Sequence, residues 1–153
     1  MTPNNWSRKR PKGNYGIPCG KDNNLLIVDI DTKNNQKGYE EWCKYTDKFK
    51  EPQTYKANSA NGGLHYYFNW DSPTYTDDMR YKIQNYLYKQ TKIRTDIDII
   101  SQSKDGAKSG GYIIGPGSKF EGKTYTVAKD LPIVDMPENL IDWLLEPVPI
   151  IEK

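Results

Sequence analysis

The stretch LLIVDID, residues 25–31, decides the fold of this chain. Its mostly aliphatic and β-branched residues are typical of a strand buried in the middle of a sheet. Asp29 and Asp31 stand two positions apart, so on a strand their side chains point to the same face. Two like charges on a buried strand are costly unless a cation lies between them, and an all-oxygen site suits Mg²⁺ or Mn²⁺. The alternative is a strand that simply ends here, with both carboxylates in water.

Helix and strand patterns alternate after this strand. Their order is strand, helix, hairpin, helix, three strands and a last helix, which predicts an α+β fold with mixed or antiparallel sheets rather than a doubly wound parallel sheet. Residues 1–24 are rich in Asn, Pro, Gly and Lys and are predicted to be irregular, with residues 1–12 as a flexible basic arm. The predicted elements are a helix at 37–50, hairpin strands at 53–58 and 64–70, a helix at 77–90, strands at 95–101, 111–114 and 123–127, and a helix at 135–146.

The composition indicates a single domain with an aromatic-rich core. The chain of 153 residues is short for two domains, and four Trp, twelve Tyr and three Phe add apolar area to a hydrophobic fraction of only 35%. The formal net charge of +2 favours no class of partner. One His and two Cys exclude a Cys/His zinc site without carboxylate help. No apolar run is long enough for a membrane span and the N-terminus is polar and basic, so we expect an intracellular protein that is not secreted.

Three further segments carry residues suited to metal or phosphate chemistry. The sequence DID at residues 96–98 repeats the acidic pair on a later strand. The segment NGGLHYYF, residues 61–68, sets His65 beside a glycine turn, where a histidine either donates to a phosphate or braces the hairpin. The segment GGYIIGPGSK, residues 110–119, leads a strand into a turn that either offers donors to a phosphate or closes a plain hairpin.

The order of these segments resembles the catalytic domain of the archaeo-eukaryotic primase superfamily. VDID, GGLHYYF, DIDII and GGYIIGPGS follow one another as in the bifunctional primase/polymerase N-terminal type, which occurs in plasmid and phage replication proteins and in primase–helicases of large DNA viruses. The resemblance implies a primase–polymerase fold, with flanking helices around a central active-site cleft. It also implies a catalytic domain at residues 1–146, a linker-like tail at 147–153, and a C-terminal or separate helicase as partner.

The resemblance further implies a reaction and its metal ligands. The reaction is DNA-dependent nucleotidyl transfer by a primase, a DNA polymerase or both, in the replication of a virus, phage or plasmid. The substrates would be NTP or dNTP and the template single-stranded DNA. Asp29, Asp31 and Asp98 would hold two ions, Mg²⁺ or Mn²⁺, while Asp96 competes with Asp98 for the third place.

The contacts to the nucleotide follow from the same resemblance. Gly63 stands where many members of the superfamily have Ser, and Ile100 stands where Arg is frequent. The residues expected to grip the triphosphate are His65, Gly62, Gly63, Ser118 and Lys119. Independently of the resemblance, the basic cluster of the arm, Lys9, Arg10 and Lys12, is expected to contact the template, and the alternative is a solvated tail.

Two other functions compete with nucleotidyl transfer. In a glycosyltransferase, an acidic pair at the end of a strand holds Mn²⁺ and a nucleotide sugar, which explains residues 29–31 but none of the later segments. A degenerate primase-like domain binds DNA without catalysis, yet this chain keeps all three aspartates and His65. Incorporation of labelled nucleotide into an oligonucleotide separates the three functions.

Overall fold

The computed structural model describes residues 13–33, 35–87, 94, 96–101 and 111–146. It has the predicted α+β architecture, and a π-helical turn at Lys82–Tyr86 continues the second helix. The strands are β1 (Gly16–Pro18), β2 (Leu25–Ile30), β3 (Lys56–Asn58), β4 (Leu64–Asn69), β5 (Ile97–Ile100), β6 (Tyr112–Ile114), β7 (Lys119–Phe120), β8 (Lys123–Thr124), β9 (Thr126–Lys129) and β10 (Val134–Asp135). The helices are α1 (Lys37–Phe49), α2 (Asp77–Tyr81) and α3 (Glu138–Leu145).

The main sheet is built around β2, whose position in the sequence was predicted to the residue. Its strand order is β5-β2-β4-β3-β9, and all these neighbours are antiparallel. The short β10 adds a parallel partner to β4, so the sheet is mixed. The predicted hairpin is formed by β3 and β4 around the glycine turn.

The two faces of β2 enter different parts of the core. Leu26, Val28 and Ile30 pack in a cluster with side chains of α1 and α3, including Trp42. Leu25 and Ile27 pack on the other face, in a cluster that the β1–β6 ribbon helps to form. We call this second side the ribbon face. Asp29 follows Ile27 on it by the alternation of a strand, so the first carboxylate lies where the apolar part of that face ends.

A half-buried carboxylate ties β3, β4 and β9 together at the far side of the sheet. Glu51 accepts hydrogen bonds from Lys56 at 2.9 Å, from the Tyr66 hydroxyl and from Lys129. Burial by itself raises the pKa of Glu51, but these three donors outweigh it and hold the pKa at about 2. The charged form of Glu51 is therefore part of the folded sheet.

The structure differs from the predicted elements mainly at short strands. Residues 16–18 were predicted to be irregular but form β1, because Ile17 is buried and β6 supplies a partner. The strand predicted at 123–127 is divided at Tyr125, since β8 pairs with β7 whereas β9 joins β3. The last helix begins later than predicted, after Pro137 at its N-cap.

Several predicted features lie outside the described residues. They are the basic arm with Lys9, Arg10 and Lys12, the end of the second predicted helix, most of the segment between β5 and β6, and the tail at 147–153. Within the described residues, no helix combines the length and the apolar character that a membrane span requires.

Candidate active site

One row of side chains crosses three strands of the main sheet. The pairing of β2 with β5 sets Asp29 opposite Asp98, and the pairing of β2 with β4 sets Asp29 opposite His65. Residues in register on neighbouring strands share a face of the sheet, so all three side chains lie on the ribbon face. Two segments that are far apart in sequence from residue 29 are thus brought to it by strand register alone.

His65 and Asp29 are in direct contact within this row. The His65 Nε2 lies 3.3 Å from Asp29 Oδ1, and the side chain of Asp29 is 28% exposed. His65 is buried, and its Nδ1 has no hydrogen-bond partner among the residues that the structure describes. The contact with Asp29 fixes the plane of the imidazole ring while leaving one ring nitrogen without an assigned partner.

Asp31 lies directly after the end of β2, close to the row of Asp98, Asp29 and His65. Its backbone N–H donates to the carbonyl of Asp96 at 2.8 Å, and its Oδ1 accepts from the N–H of Lys33 at 2.9 Å. The hydrogen bond from Lys33 to the Asp31 side chain closes a turn directly after the strand, and Lys33 lies in this turn. A carboxylate accepts several partners, so the contact with Lys33 leaves the other oxygen of Asp31 available.

The two aspartates of the DID segment at residues 96–98 have different positions relative to β5. Asp98 belongs to β5 and faces Asp29, whereas Asp96 precedes the strand with a left-handed φ of 59°. At Asp96 the chain packs tightly against the start of α1, since a Cβ added to Gly38 would lie 2.7 Å from the Asp96 carbonyl oxygen. The strict alternation expected over residues 96–98 therefore fails at Asp96, and only Asp98 takes part in the row.

These residues line one polar pocket with a volume of about 170 Å³. Its wall contains three carboxylates, one ammonium group, a hydroxyl, a side-chain amide, an imidazole and a phenol. The lining residues are Asp29, Asp31, Lys33, Ser59, Asn61, Gly63, His65, Asp98 and Tyr125. The sequence did not single out Lys33, Ser59, Asn61 or Tyr125 as site residues. Their only signal was closeness to a predicted turn or acidic pair.

The glycine turn differs from the expected phosphate cradle. The N–H of Gly62 donates to the Ser59 carbonyl at 3.0 Å, and the N–H of Gly63 donates to Ser59 Oγ at 2.8 Å. Both amides are thus used inside the turn. Gly62 adopts a φ of 86°, which favours glycine, while Gly63 is needed because a Cβ there would lie 2.8 Å from Ser59 Oγ.

The residues of the Gly-Pro-Gly-Ser turn lie outside the pocket lining. Ser118 is fully buried, and its Oγ accepts from the N–H of Tyr15 at 3.2 Å, while Lys119 is exposed on β7. The structure brings neither of them to the pocket. Instead, Gly117 N–H donates to the Tyr125 carbonyl at 2.7 Å, and Tyr125 N–H donates to the Ser118 carbonyl at 2.8 Å. The turn therefore holds Tyr125, whose ring centre lies 6.3 Å from that of His65.

Comparison with known families agrees with this arrangement. The family described as bifunctional DNA primase/polymerase, N-terminal, matches residues 2–139 of the chain. The chain belongs to this family. A search of curated proteins gives no match. The resemblance stated from the four sequence segments is thereby confirmed, and the pocket lies wholly within the matched residues of this primase/polymerase domain.

The pocket of the primase/polymerase domain suits a hard divalent cation by its chemistry. Asp29 and Asp98 face each other in register and Asp31 lines the same pocket, so the donors are all oxygen. In the described part of the chain, no three His, Cys, Asp or Glu side chains are already gathered as a metal centre. The residue types and their common pocket fit an ion, and Asp31 is held in its present place by the Lys33 amide.

Proposed function

We propose that this primase/polymerase domain is a nucleotidyltransferase that adds nucleotides to a 3′-hydroxyl on a single-stranded DNA template. The observation that carries the proposal is the row of Asp98, Asp29 and His65 inside a polar pocket of the matched domain. Its substrates would be NTP or dNTP, and the reaction would serve DNA replication as a primase, a DNA polymerase or both. Family membership supports the class of reaction.

Asp29, Asp31 and Asp98 would hold two ions, Mg²⁺ or Mn²⁺. Bound there, the ions would acidify the attacking hydroxyl and neutralise charge on the triphosphate and the leaving pyrophosphate. The protein contributes the placement of the carboxylates. Two of them are fixed by the register of β2 and β5, and the third by the hydrogen bond from Lys33. The lining carries three carboxylates against the one lysine, Lys33, and this excess of acidic groups favours cations.

His65 and Tyr125 would form the wall that receives the nucleotide. Asp29 orients the imidazole of His65 through Nε2 at the pocket wall, where the ring would contact a phosphate oxygen. Tyr125 presents an aromatic ring near it, and aromatic faces suit sugar or base. Both groups are held before the nucleotide arrives, which lowers the cost of orienting it.

The template would be bound through the basic arm and the backbone phosphates. Lys9, Arg10 and Lys12 are the residues for this contact, and such binding should weaken with salt. A helicase, joined at the C-terminus or separate, would supply the single strand. The site of action would be the replication site of a virus, phage or plasmid host.

The test is incorporation of each nucleotide type on a single-stranded template, with and without a primer, in Mg²⁺ and in Mn²⁺. Asp29→Asn should abolish incorporation, and Asp22→Asn, an exposed aspartate before β2, is the control. Wild-type protein that binds DNA but incorporates nothing would instead indicate a DNA-binding module. Release of sugar from a nucleotide sugar, without incorporation, would indicate a glycosyltransferase.

A further inference from the structure

The hydroxyl of Ser59, a residue of the pocket wall, accepts a hydrogen bond within the glycine turn. Ser59 follows β3, and its Oγ accepts the N–H of Gly63 at 2.8 Å. The turn is closed twice more, by Ser59 N–H to the Gly63 carbonyl at 2.8 Å and by Gly62 N–H to the Ser59 carbonyl at 3.0 Å. Three hydrogen bonds thus fix this hydroxyl at the pocket wall.

The proton of this hydroxyl has no acceptor among the described residues, and Ser59 is one of the residues that line the pocket. A hydroxyl carries one donor and two acceptor lone pairs, and one lone pair is taken here by Gly63. Accepting a hydrogen bond polarises an O–H group and strengthens it as a donor. The group is therefore prepared to donate to an anion that enters the pocket.

Gly63 leaves the space that this hydroxyl fills. A Cβ at residue 63 would lie 2.8 Å from Ser59 Oγ and 3.1 Å from the carbonyl oxygen of Ile30. The hydroxyl of Ser59 therefore occupies space that a side chain of residue 63 would need. A serine at residue 63 has room for its hydroxyl on this side of the turn only if residue 59 lacks one.

The neighbours of Ser59 in the pocket include hydrogen-bond donors that a phosphate could use, beside the three carboxylates proposed to hold the ions. Lys33 adds an ammonium for which the described residues supply no carboxylate within ion-pair distance, and Asn61 adds an amide. Several donors of different shape around one space match the oxygens of a phosphate chain.

We propose that Ser59 donates a hydrogen bond to a phosphate oxygen of the incoming nucleoside triphosphate, and that the glycine at residue 63 serves to place this hydroxyl. Lys33 and Asn61 assist on the same wall. This inference rests on the proposed nucleotidyl transfer and names a binding residue for it. The expected role of the glycine amides as phosphate donors passes to the serine hydroxyl.

The experiment measures dATP affinity in Mg²⁺ by calorimetry, together with the melting temperature and incorporation. Ser59→Ala should weaken dATP binding by about tenfold to a hundredfold, since a hydrogen bond to a charged group is lost. The control is Ser72→Ala, which removes a hydroxyl that also accepts a backbone N–H but lies outside the pocket. It should lower the melting temperature without changing dATP affinity.

The double variant Ser59→Gly/Gly63→Ser separates binding from turn stability. It returns a hydroxyl to this side of the turn but lacks the serine that accepted the turn's N–H. Because the hydroxyl is the proposed phosphate donor, dATP affinity should recover to within a few-fold of wild type. If Ser59→Ala binds dATP as wild type does, or if the double variant stays as weak as Ser59→Ala, the inference is overturned. Wild-type protein that neither binds dATP nor incorporates nucleotide overturns the proposed function, and the inference falls with it.

Discussion

Mn²⁺ should stabilise this protein, and replacement of Asp98 by Asn should remove that stabilisation, whereas Asp96→Asn should leave it. The two aspartates stand in the same segment, DID, and the sequence alone does little to distinguish which of them is the third metal ligand. In the structure Asp98 faces Asp29 across the β2–β5 pair and lines the pocket, whereas Asp96 lies before the strand and outside the pocket lining. Loss of a charged oxygen ligand should therefore matter only at Asp98.

The size of the effect follows from binding linkage. An ion at one hundred times its dissociation constant stabilises the folded state by about 2.7 kcal/mol. For a domain of this size, 1 kcal/mol corresponds to about 2–4 °C in melting temperature. Wild type and Asp96→Asn should therefore gain about 5–10 °C on addition of saturating Mn²⁺, and Asp98→Asn should gain less than about 2 °C.

The assay is thermal unfolding of the three proteins in chelator and then in Mn²⁺, with incorporation measured on the same samples. Asp96→Asn is a fair control because Asn tolerates the left-handed φ of 59° at that position, so the variant should fold. The reasoning is refuted if Asp96→Asn loses the Mn²⁺ shift while Asp98→Asn keeps it. In that case residue 96 supplies the third ligand despite its placement.

Three further predictions concern nucleotide contact, loop geometry and acid stability. His65→Ala should weaken dATP binding by about tenfold to a hundredfold and leave affinity for single-stranded DNA unchanged; parallel loss of both would contradict a phosphate contact. Gly117→Ala and Gly122→Ala both strain a positive φ and should each cost about 1–2 kcal/mol in unfolding, but only the former should also weaken dATP binding, because Gly117 holds Tyr125. Glu51→Gln should cost about 1–2 kcal/mol above pH 4.5, after allowance for partial exposure, because the folded pKa of about 2 lies below the ordinary value of 4.5. That difference should shrink as the pH falls toward 2, and unfolding curves that keep a constant gap from pH 6 to pH 2 would contradict it.

The parts of the fold that the sequence predicts are those governed by local pattern. The apolar run at residues 25–30 predicts β2 because it is continuous and ends in charge, and the glycines at 62–63 predict the hairpin turn. β1 was missed because three residues with Gly and Pro at either end give no period, and only pairing with β6 makes them a strand. Its formation depends on a partner almost a hundred residues away.

The candidate site was predictable by residue type and less so by geometry. The acidic pairs and the histidine beside the glycines can be recognised in the sequence, and the family resemblance assigned a role to each of them. The roles of Ser59 and Tyr125 depend on which turn groups fold back on one another, and no spacing rule gives that. The Gly-Pro-Gly-Ser turn shows the same limit, since its Ser118 hydroxyl accepts from Tyr15, and its contacts to Tyr125 come from the backbone of Gly117 and Ser118.

The apolar residues of β2 have a second consequence for the site, because they set the register that builds it. A slip of one residue would move Leu26, Val28 and Ile30 from the helix side of the sheet to the ribbon face, at the cost of burying Asp29 in the core. The same slip would separate Asp29 from both His65 and Asp98. Burial of the apolar residues thus disfavours the wrong registers, and the correct register places the polar residues of the site. The carboxylates lie at the end of the strand because only there can the apolar residues fix their position without enclosing them.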